Sequence, residues 1–303
     1  LRYDLDLGTI AQYRTSVTRP PSESVNTKGI TSIYRANSGH LLIGTYGGGL
    51  NVFDETTRMF SHYTWSQDDT SSISSNQVVA ILQDSDGDIW VGTEQGLNLF
   101  DIASGVFERY EHSTNRPESI SSNMAWALHE DRAKNLWIGT QSGGINKWSQ
   151  EDRRARRQNF VQYSENINLP SADIYAVETD NFGNVWMSHN RGLTRLDPSS
   201  LTTKNFIVND GLQGPEFNHG AGFQDSDGYI YFGGPNGFNA IRPYDVTRKR
   251  YDPNVLITKF RILIDKVYFS KPFDEVDEIV LDYNFRYATS ISCQNRNFTS
   301  KCI

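Results

Sequence analysis

The sequence predicts an all-β protein built as a β-propeller of four-stranded antiparallel blades. Three observations support this: a long repeat, the same strand-and-turn pattern inside each copy, and no window with helical spacing of apolar residues. An aromatic-x-Gly signature or a degenerate form of it marks each copy. Its third positions are Gly44, Gly92, Gly139, Ser188 and Gly233, with successive offsets of 48, 47, 49 and 45 residues. That period is typical of one propeller blade.

The second copy shows the predicted elements of a blade most clearly. Strand A covers 78–82, strand B 89–91, strand C 96–101 and strand D 105–110, and an Asp/Gly turn at 84–87 joins A to B. These apolar runs are too short for ordinary helices, so we expect no helix in the repeat. One sheet cannot bury both of its faces alone, so the recurrent aromatic residue of strand B is expected to fill the gap between neighbouring blades.

Composition limits the function classes. A net charge of −7 favours solubility and gives no sign of nucleic-acid binding. Cys293 and Cys302 are the only cysteines, so neither a disulfide framework nor a zinc site is supported, and we predict no cofactor. The sequence contains no apolar run near the ~20 residues that a membrane helix needs, and no signal peptide is visible.

Five complete A-to-C units are predicted, preceded by part of a sixth. Residues 1–4 align with strand C at 98–101, and residues 10–13 follow as strand D. We therefore infer that upstream residues have been lost, and we assign 1–250 to the propeller and 251–303 to a second domain.

Two segments resemble a known family, the two-component regulator propeller repeat. They are 84–93 and 131–140, each preceded by a similar lead-in at 72–78 and 119–125. The segment 210–218, followed by 231–238, resembles the last repeat before a small β-sandwich, the three-tyrosine domain. That sandwich would begin at 253–260.

The resemblance implies a sensor and not an enzyme. Such propellers form the periplasmic part of an inner-membrane receptor whose transmembrane helix leads to a histidine kinase or a diguanylate cyclase, and the usual ligands are oligosaccharide products. It also implies that ring closure takes seven blades. We therefore expect an incomplete ring, stable only if it closes on fewer blades, pairs with another copy or regains upstream sequence.

The C-terminal segment departs from the family pattern, because alternation of apolar residues fades after 279–283. Two interpretations stay open: a truncated or frame-shifted reading frame, and an unusual final strand. A homodimer through this sandwich or through exposed blade edges is a further expectation.

The strand order predicts that the D-to-A and B-to-C loops share one face around the channel. Amides, aromatic rings and charged groups on this face could stack on and hydrogen-bond a sugar, particularly an anionic one. The candidate ligand-binding residues are Tyr46, Asn76, Glu94, Asn123, Trp126, Gln141, His189, Arg191, His219 and Asn236. The alternative is structural: an Asn before strand A can close a turn, and Trp126 can pack between blades.

Two charged runs have competing interpretations. The run 84–88 resembles the opening of a calcium loop, but no twelfth-position Glu follows, so a hairpin turn is favoured and no metal site is predicted. The arginine run 153–157 falls in a C-to-D connection, on the face opposite the expected pocket. A solvated loop or a partner contact is favoured there over an anion clamp.

No catalytic motif is present, so no catalytic residue is predicted. The enzymatic alternative is a lyase similar in shape to the streptogramin lyases, with His189 or His219 as general base. A non-catalytic protein-interaction propeller is the third interpretation.

Overall fold

Antiparallel β-sheets account for about half of the described chain. The computed structural model describes residues 2–4, 9–11, 21–27, 29–164, 167–248, 256–262, 265–266, 288–295 and 298–302. The chain divides into two compact units, Leu1–Pro243 and Tyr244–Ile303.

The first unit begins with a hairpin and continues with five sheets, here called blades 1 to 5. The hairpin pairs β1 (Arg2–Asp4) with β2 (Thr9–Ala11), as predicted for strands C and D of a sixth unit. Blade 1 contains β3 (Ile30–Arg35), β4 (Leu41–Thr45), β5 (Leu50–Asp54) and β6 (Met59–Tyr63). Blade 2 contains β7 (Val78–Gln83), β8 (Ile89–Thr93), β9 (Gly96–Asp101) and β10 (Val106–Tyr110). Blade 3 contains β11 (Ala125–Glu130), β12 (Leu136–Thr140), β13 (Ile145–Trp148) and β14 (Phe160–Tyr163). Blade 4 contains β15 (Ala176–Thr179), β16 (Val185–His189), β17 (Gly192–Asp197) and β18 (Thr202–Phe206). Blade 5 contains β19 (Gly222–Gln224), β20 (Ile230–Gly234) and β21 (Gly237–Ile241).

Each blade is a meander whose strands pair in chain order. The predicted four-stranded antiparallel blade is confirmed for blades 1 to 4, whereas blade 5 has three strands within the described residues. Strand A of every blade lines a shared cavity of about 340 Å³, through residues such as Ser32, Ala80, Ala127, Val177 and Gly222. The five sheets are therefore arranged radially around a common channel.

The predicted aromatic positions occupy equivalent slots between blades. Leu42, Trp90, Trp137 and Trp186 are all buried. Trp90 of blade 2, for example, packs against Trp148 of blade 3, with ring centroids 5.2 Å apart. The burial of these large side chains is the main apolar contribution to blade stacking.

Glycine at the third signature position allows the next blade to approach closely. A Cβ atom at Gly139 would lie 2.7 Å from a methyl group of Ile174, which precedes blade 4. A side chain there would push blades 3 and 4 apart, which explains the glycine at this position of blade 3.

Two short helices depart from the all-strand prediction. Helix α1 (Gln150–Arg154) lies in the C-to-D connection of blade 3, and helix α2 (Pro243–Arg248) follows blade 5. The Ser149 hydroxyl caps α1 by accepting a hydrogen bond from the Asp152 backbone N–H. A capping Ser followed by acidic and then basic residues stabilises such a helix, although it is too short to show apolar periodicity. None of the helices in the described part of the chain has the length and hydropathy of a membrane span.

The second unit contains one four-stranded sheet within the described residues. Its strands are β22 (Leu256–Ile262), β23 (Asp265–Lys266), β24 (Ala288–Asn295) and β25 (Phe298–Cys302), in the order β23-β22-β24-β25. Part of the predicted first sandwich strand, 256–260, falls in β22. The predicted continuation at 279–283 lies outside the described residues.

Candidate functional site: an aromatic cluster at the channel mouth

The D-to-A and B-to-C loops lie together, as the strand order predicts. The backbone N–H of Gly47, in a B-to-C loop, donates to the Asn76 carbonyl in a D-to-A loop at 3.0 Å. Gly96 N–H donates to the Asn123 carbonyl at 2.6 Å in the next blade. These loops form the channel-mouth face, and the predicted ligand-binding residues other than the buried His189 belong to them or to the strand ends beside them.

A β-bulge orients Trp126 at this face. The register of β11 against β12 shifts between Ala125 and Ala127, which leaves Trp126 as the extra residue. Bulges bend a strand and redirect a side chain. The same shift occurs around Thr31 in blade 1 and Val79 in blade 2, so this position recurs with a different side chain in each blade.

Three rings meet at the mouth of the channel, and we call them the aromatic cluster. The ring centroid of His219 lies 4.2 Å from that of Trp126 and 4.2 Å from that of Tyr175. Trp126 and Tyr175 are 5.7 Å apart. Trp126 and His219 also line the cavity between the A strands. The structure thus brings together two residues from the predicted set, Trp126 and His219.

Tyr175 was missed by sequence reasoning, although the repeat contains a signal for it. Tyr175 follows Trp126 by 49 residues, the same offset that separates Gly139 from Ser188. Aligning the repeats would have placed Tyr175 at the position of the bulged residue, just before β15.

Electrostatics keep the cluster uncharged near neutral pH. Burial lowers the pKa of the His219 imidazole, against the opposing influence of the Asp173 carboxylate. Burial, together with Asp173 and Glu216, raises the pKa of Tyr175. A neutral imidazole presents one donor and one acceptor, and the phenol presents a hydroxyl. The cluster can therefore stack on a ring and exchange hydrogen bonds with hydroxyl groups.

A polar pair borders the cavity on neighbouring A strands. Glu178 lines the cavity, and its Oε2 lies 3.2 Å from Nδ1 of His129 in blade 3. His129 Nε2 lies 2.8 Å from the Thr179 hydroxyl. This pair joins blade 3 to blade 4 beside the channel and gives the cavity a polar wall.

Asn76 and Asn123 hold loops in place through their side chains. Asn76 Oδ1 accepts a hydrogen bond from Trp65 N–H at 2.8 Å, and Asn123 Oδ1 accepts one from His112 N–H at 2.7 Å. The two contacts occupy equivalent positions in neighbouring repeats. They fit the structural interpretation, in which the side chain of an Asn before strand A closes a turn, and each Asn side-chain oxygen is used in this way.

His189 is 0% exposed, at the end of β16. Its Nε2 lies 2.9 Å from the Thr194 hydroxyl, and its Nδ1 accepts a hydrogen bond from Arg191 N–H. Burial lowers the pKa of His189 to about 4, with a further contribution from Arg191. Both ring nitrogens are engaged inside the fold, so this imidazole cannot reach a ligand at the rim as a binding group or a general base.

The other predicted residues lie apart from the cluster. Tyr46, Gln141, Arg191 and Asn236 belong to B-to-C loops and do not line the cavity. Glu94 and Asn76 line a second cleft on the same face, between blades 1 and 2.

The run 84–88 forms a hairpin turn, the interpretation that the sequence favours over a calcium loop. Asp84 Oδ1 accepts hydrogen bonds from the N–H groups of Asp86 and Asp88, and its Oδ2 accepts one from Trp90 Nε1 at 2.7 Å. No group of three or more metal-ligating side chains occurs in the part of the chain that the structure describes.

The arginine run is a contact within the chain. The Arg153 guanidinium lies 2.9 Å from Asp84 and 2.7 Å from Glu130, and Arg154 Nε donates to Asp86 at 2.8 Å. Arg153 donates as well to the Lys134 carbonyl. The C-to-D connection of blade 3 thus meets A-to-B turns on the face opposite the cluster, as the topology predicts.

Comparison with known proteins places two of the repeats in a class. Residues 72–95 and 119–142 match the family described as two component regulator propeller. These stretches contain the D-to-A lead-in, strand A and strand B of blades 2 and 3. The match to this family is therefore confined to the repeats of blades 2 and 3.

The similar proteins include sensors of two-component systems. The chain is 26% identical over 298 residues to histidine kinase P4 of Formosa agariphila, which covers 95% of this chain and 21% of that protein. It is also similar to a crystal structure of the extracellular domain of BT4673 from B. thetaiotaomicron, assigned as a hybrid two component system. That match has 25% identity and a TM-score of 0.62, and covers 72% of this chain and 30% of the other. The chain thus spans about a fifth and a third of these two relatives.

A second similar structure is virginiamycin B lyase from Staphylococcus aureus. At 14% identity and a TM-score of 0.50, over 71% of this chain and 70% of the lyase, the likeness shows a shared propeller fold alone.

Proposed function

We propose that this chain is an extracytoplasmic ligand-sensing module of a signalling receptor, and that it binds a small polar ligand of the oligosaccharide class at the aromatic cluster. The observation that carries the proposal is the meeting of Trp126, Tyr175 and His219 at the mouth of the channel.

The chemistry of the cluster suits a sugar ring. Aromatic faces pack against the C–H face of a pyranose, and a neutral imidazole with a phenol can donate to and accept from its hydroxyl groups. The nearby carboxylates, Asp173 and Glu216, disfavour an anionic ligand here. Arg191, which motivated the anionic preference, does not line the cavity.

The relatives support a receptor context. They include the extracellular domain of a hybrid two-component system and a histidine kinase, both much longer than this chain. We propose a bacterial periplasmic location, with membrane attachment and a kinase or diguanylate cyclase output supplied by other regions of the parent receptor. The second unit would be the start of the three-tyrosine sandwich that the sequence resembles.

The proposed role is non-catalytic. A lyase needs a general base that a second group orients toward the substrate. His189 is engaged inside the fold, which leaves His219 as the histidine at the cluster. The same experiment distinguishes the sensor from the two alternative functions, a lyase and a protein-interaction scaffold.

The test is titration calorimetry with a panel of neutral and acidic oligosaccharides, followed by mass spectrometry of the recovered sugars. We expect binding without cleavage, and a loss of about tenfold in affinity for Trp126→Ala because a stacking surface is removed. Tyr46→Ala is the matched control, since Tyr46 is an exposed aromatic residue on the same face that does not line the cavity. Cleaved sugars would favour the lyase. Binding of none of the sugars would favour the scaffold, and equal affinity of Trp126→Ala and the unmodified protein would contradict the proposed site.

A further inference from the structure

A second cleft opens on the channel-mouth face, between blades 1 and 2. Its volume is about 670 Å³, larger than the cavity at the aromatic cluster. Trp65, which follows strand D of blade 1, lines it and is 45% exposed. An exposed indole on a concave polar surface is unusual for a residue that normally lies inside, and its face is available for stacking.

The backbone holds Trp65 in place at this cleft. Its N–H donates to Asn76 Oδ1, and Asn76 is in turn fixed because its carbonyl accepts from Gly47 and Gly49 at 3.0 and 2.9 Å. The indole is therefore presented by an ordered loop, which reduces the entropy lost when a ligand binds.

The charge that the cleft offers to a ligand is negative. Glu94 and Glu111 line it, and within the described residues neither carboxylate has a hydrogen-bond or ion-pair partner. The guanidinium of Arg109, also in the lining, donates to the carbonyls of Ser72 and Asp69 and to the Ser72 hydroxyl, all neutral groups, so it keeps its charge and the lining has a net charge of −1. Arg109 thus stabilises the loop, whereas the two carboxylates remain available.

We propose that this cleft binds a ligand carrying an ammonium group on a saccharide ring, an amino sugar in chemical class. The indole face attracts a cation through its quadrupole, and a carboxylate accepts charge-assisted hydrogen bonds from an ammonium. A uronate or a sulfated ring would be repelled by the same carboxylates. The site is separate from the aromatic cluster and does not depend on it.

The positions of the tryptophans allow each site to report independently. Of the six tryptophans, Trp90, Trp137, Trp148 and Trp186 are buried, which leaves Trp65 and Trp126 as the indoles accessible to a quencher. In the Trp126→Phe variant, acrylamide quenching reports on Trp65. In the Trp65→Phe variant, it reports on Trp126.

The experiment compares two probes that differ in charge, a trimer of β-1,4-linked glucosamine and its fully N-acetylated counterpart. In the Trp126→Phe variant, we expect the glucosamine trimer to protect Trp65 from acrylamide with an affinity about tenfold higher than the N-acetylated trimer. The preference should weaken as salt is added, because exposed charges are screened.

A variant with both Glu94→Gln and Glu111→Gln should lose the preference, while Glu151→Gln, an exposed residue of α1, should keep it. Circular dichroism and melting curves establish that each variant is folded. Equal protection by the two trimers, protection by neither, or a preference that survives the double Gln substitution would overturn the proposal. Protection of Trp126 in the Trp65→Phe variant tests the aromatic cluster separately, so either site can fail without the other.

Discussion

At the scale of single residues, one contact recurs in four of the five blades. A turn aspartate accepts a hydrogen bond from the aromatic residue of strand B six positions later: Asp84 from Trp90, Asp131 from Trp137, Asp180 from Trp186 and Asp225 from Tyr231. The other oxygen of each carboxylate accepts backbone N–H groups of the turn. The hydrogen bond from the aromatic side chain orients the ring, and the hydrogen bonds from the backbone N–H groups close the hairpin turn.

Removing the aspartate should destabilise a buried blade. Asp180→Ala leaves Trp186 Nε1 and the Phe182 and Asn184 N–H groups without their acceptor, so we expect a loss of about 2–3 kcal/mol in the free energy of unfolding. Urea denaturation measures it.

Asp225→Ala is the matched control, because Tyr231 in blade 5 is only partly buried and water can replace the acceptor. We expect a much smaller loss there. Equal losses at the two sites would show that burial of the aromatic partner does not set the energy.

Sequence reasoning identified the glycines and aromatic rings of the repeat because their spacing shows directly in the sequence. It did not find the aspartate contact, because the pattern 84–88 predicts a hairpin turn but does not show that one oxygen of Asp84 accepts a hydrogen bond from an indole six residues later. His189 is similar: a histidine at a loop position indicates a ligand contact, and only its complete burial beside Thr194 shows otherwise.

At the scale of elements, helix α1 and two A-to-B turns form a charged junction between blades 2 and 3. Arg153 is 1% exposed and lies between Asp84 and Glu130, and Arg156 adds a contact with Asp88. A hydrogen bond from Arg154 holds the pKa of Asp86 far below its usual value. A buried guanidinium with several acceptors is costly to disturb.

Arg153→Ala should therefore destabilise the protein strongly, by about 3–5 kcal/mol, because it leaves the buried Asp84 carboxylate uncompensated. Thermal or urea unfolding, followed by tryptophan fluorescence, would measure the loss.

Arg157→Ala in the same run provides the control. Its contacts with Glu151 and Asp152 are exposed to solvent, so we expect a much smaller change in the free energy of unfolding. Similar effects for the two arginines would contradict the view that burial distinguishes them.

The strands could be predicted from alternation and turn residues, and so could the face on which the arginine run lies. Its partners could not be predicted, because Arg154 and Asp86 are 68 residues apart and only the folded ring brings them together. Helix α1 was missed because one turn of helix leaves no periodic signal.

At the scale of the whole molecule, the outer face of blade 5 differs from the faces of the other blades. Phe223 and Phe238 are 61% and 67% exposed, and Tyr231 lies between them with ring centroids 6.2 and 6.1 Å away. The residues equivalent to Phe238 are Leu50, Leu97, Ile145 and Leu193, all fully buried by the next blade. Within the described residues of the first unit, blade 5 thus carries an interblade face that no other sheet covers.

We expect this face to promote self-association, since contiguous exposed aromatic residues are an association surface. Replacing Phe223 and Phe238 together with Glu should shift the sedimentation coefficient toward that of the monomer across a wide range of protein concentration. Phe182→Glu is the control, because Phe182 is similarly exposed but lies at a turn away from this face. A protein that is already monomeric at high concentration would contradict the expectation.

The radial arrangement of the blades was the easiest feature to predict, because a fixed period implies a repeated unit. Five such units are arranged around one cavity. Which loop residues meet at the mouth was harder. The meeting of these residues depends on the bulge that redirects Trp126 and on the loop before β19 that carries His219. Neither feature can be recognised from the repeat period.

In blades 2 to 5 the aspartate and its aromatic partner belong to the same repeat, so this hydrogen bond forms within a single blade. A tandem gene duplication that copies one repeat would therefore copy both partners of this hydrogen bond. The internal hydrogen bond of the added blade would form whatever its new neighbours are, whereas its contacts with those neighbours would have to be matched separately.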